Sequence, residues 1–270
     1  MNIIRLEMRR GMKSLITWTV SLVGLAFLFM MIYPSLAAQM TDFLQIMKSF
    51  PPAFREAFGM TNFENGSVIG FYSFVLIYVL LAGSIYAMNI GVSSLSMEVR
   101  DKTADFLYSK PVSRCRIISS KIITVLLQIL IINIVFMISG WLILAAIQST
   151  TSGSGRVDIR LYLLMTASLA ILQLFFASLG LFISSFLKRI RTVLPISMGV
   201  VFFFYTLYIL NQTLDSAELA YISPFSYFDL SKIIQTGAYE IRYLITAFVL
   251  IALFIAATYR FYMKKDLPSI

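Results

Sequence analysis

The chain contains no histidine and a single cysteine, Cys115. Together these remove the imidazole acid/base relay, the intrachain disulfide and the usual Cys/His zinc site. An intramembrane enzyme would need a nucleophile beside a base or a metal cluster, and only serine and tyrosine hydroxyls without such a base remain. No G-x-x-x-x-G-K-[ST] phosphate loop occurs, so the chain lacks the usual means of binding ATP. The polar residues within apolar stretches, such as Asn89, Gln128, Asn133 and Gln173, are uncharged and read as helix-to-helix hydrogen bonds. A secondary transporter would carry ionisable groups at the membrane midplane for ion coupling, and these stretches have none. The richest mixture of functional groups is segment 94–121, where Glu98, Asp101 and Asp105 stand among Arg100, Lys102, Lys110, Arg114, Arg116 and Lys121.

The elements that must hold this segment are apolar. Of 270 residues, 59% are hydrophobic and 13% charged, against about 45–50% and 25% in soluble globular chains. Six uncharged stretches, at about 15–38, 68–93, 122–147, 161–186, 193–210 and 243–259, exclude every charged residue. At about 1.5 Å per residue the first four cross a hydrocarbon core of about 30 Å with tilt to spare. The last two are at the short limit, where Arg242 and Arg260 can snorkel to the interfaces. The expectation is an all-α, polytopic membrane protein with a single transmembrane domain over 1–270.

The net charge of +9 belongs to loops, not to a nucleic-acid surface. Alternate segments, which include both termini, carry sixteen of the 22 basic residues and the opposite segments six. The positive-inside rule therefore places both termini in the cytoplasm, and the expected location is a cell membrane, a bacterial cytoplasmic membrane in particular. The basic start and Ser35-Leu36-Ala37 imitate a signal peptide, but the first apolar run exceeds the usual ~7–15 residues. Segment 1–14 mixes Ile3, Ile4, Leu6 and Met8 with Arg5, Arg9, Arg10 and Lys13. It reads as a short interfacial helix on the cytoplasmic leaflet or, equally, as a topogenic anchor.

On the outer side, segment 39–67 holds Phe43, Leu44, Met47, Phe50, Phe54 and Phe58 around Pro51-Pro52. That predicts one or two short helices, at the interface or packed on the spans. Segment 148–160, with Thr-Ser-Gly-Ser-Gly, is a connector. Segment 211–242 is too apolar for a free loop. Pro224 should split it into two short helices with a cap near Ser226 or Asp229, packed against the fifth and sixth spans.

In segment 94–121, Thr103 can cap a two-turn helix that ends before Pro111, with Asp105 in its first turn. Ala104, Leu107 and Tyr108 share one face with Phe106 beside them, and so short a helix is unstable alone. The face is covered either by a partner or by the membrane and neighbouring spans.

These residues resemble the membrane subunits of type-2 ABC exporters, in the group with six spans per subunit. Three patches carry the resemblance. Glu98 closes the second span and leads to Thr103, Phe106-Leu107-Tyr108 and Pro111-Val112-Ser113-Arg114; Ser223-Pro224-Phe225 with Tyr227-Phe228 precedes the sixth span; Phe261 and Lys264-Lys265-Asp266-Leu267 form the tail. Lys102 departs from the glycine common in the family. The resemblance implies a permease subunit without its own ATPase or catalytic residues. Its coupling helix, with Glu98, Arg100, Thr103, Phe106, Leu107, Tyr108, Pro111 and Arg114, would dock on a separate ABC ATPase. ATP and Mg would bind that partner, and this chain would hold no cofactor or metal. Two ATPase copies and a second membrane subunit are expected, a homodimer being favoured.

Cargo must be read from the aromatic stripes Phe71, Phe74, Tyr78 and Phe203, Phe204, Tyr208, which are either packing surface or substrate path. With no charged ring, a hydrophobic or amphipathic cargo fits best: a peptide toxin, bacteriocin or antibiotic first, a lipid-linked compound second. An ATPase-coupled scaffold or sensor that transports nothing is the remaining class.

Overall fold

The structure is a computed structural model. It describes residues 3–51, 54–55, 59–63, 66–100, 113–150, 157–186, 192–214 and 216–264; the side chains at 61, 62, 97–100, 217 and 264 fall outside the description. Among the described residues all regular structure is helical. In chain order the helices are α1 (Ile3–Ala38), α2 (Met40–Ser49), α3 (Val68–Arg100), α4 (Arg114–Thr150), α5 (Ile159–Phe186), α6 (Val193–Leu214), α7 (Ala217–Ile222), α8 (Leu230–Thr236) and α9 (Ile241–Lys264), with 3-10 turns at 60–63 and 224–228. Six of them, α1, α3, α4, α5, α6 and α9, are long and apolar enough to cross a membrane.

Local chemistry sets the helix ends. Serine or aspartate precedes four of the helices and accepts from a backbone N–H of the first turn: Ser67 from Gly70, Ser113 from Arg116, Asp158 from Arg160 and Asp229 from Ser231. Such caps satisfy amides that have no partner within the helix. Gly237, at φ 64°, closes α8 in the left-handed conformation that glycine adopts without strain. Inside the spans, Ser73, Ser84, Ser96, Thr124, Ser197 and Thr258 donate to carbonyls three or four residues back. Their hydroxyls are thereby hydrogen-bonded where no water is available.

The spans alternate in direction. Lys121, at the start of α4, reaches Glu7 near the start of α1 and the Ser94 carbonyl near the end of α3. Arg114 reaches the Met263 carbonyl at the end of α9, and the ring of Phe186, which ends α5, lies 4.1 Å from that of Phe261. These ends mark an N-terminal face. On the far face Tyr33 of α1 donates to the Gly66 carbonyl that leads into α3, at 2.9 Å.

A central pair organises the bundle. The apolar stretch of α3 is 72% buried and that of α5 is 67%, against 22–39% for the other four spans. Glycine makes the pair close: a Cβ at Gly91 would stand 2.3 Å from the Ala177 carbonyl oxygen, and one at Gly180 2.7 Å from that of Met88. Polar ties add register, with Asn133 of α4 donating to Gln173 of α5 at 2.6 Å and Tyr72 of α3 hydrogen-bonded to Thr166 of α5 at 3.1 Å.

Two sequence expectations are revised. Segment 1–14 is not a separate interfacial helix, because an unbroken helical ladder joins it to the first span as α1. The fifth and sixth spans are also longer than the apolar runs suggested, reaching 22 and 24 residues. Asn211 and Gln212 extend α6 beyond Leu210 because Ser226 and Asp229 accept their amide protons. Segment 211–242 folds as expected into short helices around Pro224, with Asp229 as the cap, and packs on α5 as well as on the fifth and sixth spans.

Candidate functional site

The face of α3 that its neighbours leave open is a stripe. Between Gly70 and Ser93 the half-exposed residues of this otherwise buried helix are Phe74, Tyr78, Leu81, Ala82, Asn89 and Ser93, and at ~100° per residue these fall on one side, whereas Ile69 and Ser94, half-exposed near its ends, fall on the other. Alpha-helix α1 borders this side, with Phe29 stacked on Tyr78 at 6.2 Å between ring centroids and Trp18 against Tyr86 at 5.7 Å. Helix α6 packs against α3 too, and its first residues line a cavity together with Asn89 and Ser93. The result is a furrow along the second span, roofed by neither neighbour.

The furrow changes character along its length. At the N-terminal face it opens into a cavity of about 520 Å³ between the starts of α1 and α6, floored by Asn89, Ser93, Thr124 and Gln128. Toward the far face Phe74 and Phe71 line a wholly apolar cavity of about 140 Å³ with Phe43, Met47 and Phe63. Phe63 and Phe71 approach to 5.0 Å, and Tyr33 to 5.5 Å of Phe71.

The suggested path residues do not share one environment. Phe74 and Tyr78 face the furrow, whereas Phe71 is buried at its apolar end. Phe203 points outward at 59% exposure, and Phe204 turns inward against Phe175 and Phe176 of α5. Tyr208 is buried and accepts from Gln212 at 2.9 Å. Tyr205, the last residue of the aromatic run 202–205 of this span, is buried, with its ring 5.5 Å from that of Phe225.

Of the coupling residues, Thr103, Phe106, Leu107, Tyr108 and Pro111 lie outside the described residues. Glu98 and Arg100 fall in the last turn of α3, and Arg114 begins α4. Around the point where the chain leaves and rejoins the bundle, the ends of the spans are tied together. Lys121, 1% exposed, donates to the Ser94 carbonyl at 2.6 Å and pairs with Glu7 at 3.5 Å. Ser119 is hydrogen-bonded to Tyr259 of α9 at 2.8 Å. Sequence reasoning placed Lys121 only at a span boundary, because nothing in its spacing pairs it with a residue 114 positions away.

Ser223, Pro224 and Phe225 form a wedge on the far face. Ser223 is fully buried and donates to the Phe204 carbonyl at 2.8 Å, while the Phe225 ring lies 5.4 Å from Phe176 and 5.5 Å from Tyr205. Burial pushes the neighbouring Tyr227 hydroxyl up to about 12, and it donates to the Tyr221 carbonyl. Burial also pushes the Glu240 carboxyl up, but the Arg242 hydrogen bond and the nearby Lys232 and Arg242 charges outweigh it and hold the group below its ordinary value. These groups stabilise the loop and carry no proton chemistry.

Six helices long and apolar enough to cross a membrane define the class of the fold, a multi-pass helical bundle. Residues 1–267 match the sequence profile of the ABC-2 family transporter proteins, and the chain belongs to that family. It is therefore a multi-pass membrane protein and a permease subunit of an ABC transporter, a transport component that is not itself the ATPase and that works with an ABC ATPase subunit. A comparison with curated proteins found no match.

Proposed function

We propose that this chain is the permease subunit of an ATP-driven exporter that moves a hydrophobic or amphipathic cargo out of the cytoplasm, with a peptide toxin, bacteriocin or antibiotic as the favoured class. The observation that carries the reading is the furrow: polar at the N-terminal face, aromatic toward the far face, and open along one side of α3. A second copy of the chain facing this side would enclose it as a route between two subunits, which favours a homodimer served by two ATPase copies. The sixteen basic residues in the sequence segments that include both termini, against six in the opposite segments, support a cytoplasmic position for both termini in a bacterial cytoplasmic membrane.

ATP and Mg act in the partner. The contribution of this chain is mechanical: the ATPase pushes on the segment between α3 and α4, and the Lys121–Glu7 and Ser119–Tyr259 ties pass the displacement to α1 and α9. In this reading the ATPase docks on the apolar residues of that segment that the sequence singles out, Leu107 and Tyr108. Replacing either with Asp places an unpaired charge in that contact. The expected outcome is loss of ATPase co-purification or uncoupled hydrolysis, with insertion unchanged. Co-purification and coupled ATPase activity retained in both variants removes this segment from the role. Export itself is read as ATP-dependent uptake of a fluorescent amphipathic peptide by inverted vesicles, and the absence of uptake with a docked, active ATPase rejects the cargo class.

A further inference from the structure

The cavity at the N-terminal face contains a set of charges and donors that neither packing nor coupling accounts for. Glu7, the one acidic lining residue among those described, is already engaged by the buried Lys121 at 3.5 Å. Arg10, on the next turn of α1, lines the same space, is exposed, and has no hydrogen-bond or ion-pair partner among the described residues. Across from it begins α6, a 22-residue helix with no acidic residue in its first turn, and Thr192, Val193 and Leu194 line the cavity there. A helix N-terminus offers free amides and a positive dipole end.

A donor in the cavity wall points to the same chemistry. Gln128 is 5% exposed and lines the cavity; its Oε1 accepts from Tyr86 at 3.5 Å, while its Nε2 makes no hydrogen bond among the described residues. That amide lies against Gly11 of α1, where a Cβ would stand 2.2 Å from it. An amide donor in a cavity wall is available to a ligand that supplies an acceptor. With Glu7 paired to Lys121, Arg10 is the charged lining residue left to meet a ligand among the described residues. Asn89 and Ser93, which line the cavity, lie on the same stripe of α3 as Tyr78 and Phe74.

We propose that this cavity binds the anionic headgroup of an amphipathic molecule, a phosphate or carboxylate, with its apolar chain laid along the furrow of α3. Arg10 supplies the charge, the Gln128 amide a hydrogen bond, and the Val193 and Leu194 backbone amides at the start of α6 further donors. The proposal deepens the reading of the furrow as a cargo route, and it is tested on the permease without its ATPase, so failure of binding and failure of export are separate results.

Trp18 provides the reporter. It lies on the same face of α1 as Gly11 and Ser14, which line the cavity, and its ring is 5.7 Å from that of Tyr86. The only other tryptophan, Trp141, packs on Tyr162. In a Trp141→Phe background reconstituted in phosphatidylcholine nanodiscs, dodecyl phosphate brominated at mid-chain should quench Trp18 saturably. Arg10→Gln should weaken this binding by about tenfold or more, Arg10→Lys should retain most of it, and Gln128→Leu, on a different helix, should weaken it severalfold. Brominated dodecyl maltoside and dodecyl trimethylammonium should quench without saturation.

Adding phosphatidylglycerol to the nanodisc distinguishes the sources. Competition with the phosphate probe assigns the site to a lipid headgroup, and its absence to a soluble anionic amphipath; both leave the anion site standing. Equal saturation by the neutral and cationic analogues, or unchanged affinity in both Arg10→Gln and Gln128→Leu, overturns it.

Discussion

Lys121 shows how a single side chain can organise one face of a membrane bundle. Its side chain is withdrawn from solvent, where a polar group is tolerated only beside close acceptors. It finds them on two other spans, in the Ser94 carbonyl and Glu7. Removing the lysine alone strands the Glu7 carboxylate in a poorly solvated position, so Lys121→Ala should cost on the order of 3–5 kcal/mol. The double variant Glu7→Gln/Lys121→Met removes both charges and should be markedly milder. Thermal unfolding followed by size-exclusion chromatography in detergent measures this, and a midpoint unchanged in Lys121→Ala would show that the tie does not stabilise the fold.

At the scale of elements, the composition of a span did not reveal its burial. Helices α3 and α9 are similarly apolar by hydropathy, yet α3 is mostly buried and α9 mostly exposed. Without a hydrophobic drive between helices in lipid, close approach is governed by small residues and shape. Gly91 and Gly180 set that approach between α3 and α5. Gly91→Val should therefore destabilise the bundle by about 1–3 kcal/mol through overpacking against backbone. Gly199→Ala, on α6 with nothing within 4 Å of the new Cβ, should be neutral or stabilising by up to about 1 kcal/mol. Unfolding by SDS titration compares the two, and equal effects would show that helix propensity rather than the α3–α5 contact decides.

For the whole molecule, the alternating directions of the spans put the start of α4, with its exposed Cys115, on the same face as the start of α1. If that face is cytoplasmic, an impermeant thiol reagent applied to intact cells should leave Cys115 untouched. It should label a cysteine placed at Ser152 in the α4–α5 connection of a Cys115→Ser chain. Labelling in the reverse pattern inverts the topology and with it the assignment of the coupling segment.

Six apolar runs separated by charges determined the number of spans, because lipid requires every backbone polar group to be paired within a helix or closed sheet. Pro224 and Asp229 likewise announced the broken, capped loop before α9, since both act through local backbone geometry. What lay beyond the sequence was every relation between spans. Lys121 with Glu7, Gly91 with Ala177, Ser223 with Phe204 and Arg10 with Gln128 are separated by many residues and joined only by the rotation and pairing of helices. Those are set by summed packing across several helices at once, so the furrow and its anion-facing end emerge only in the tertiary structure.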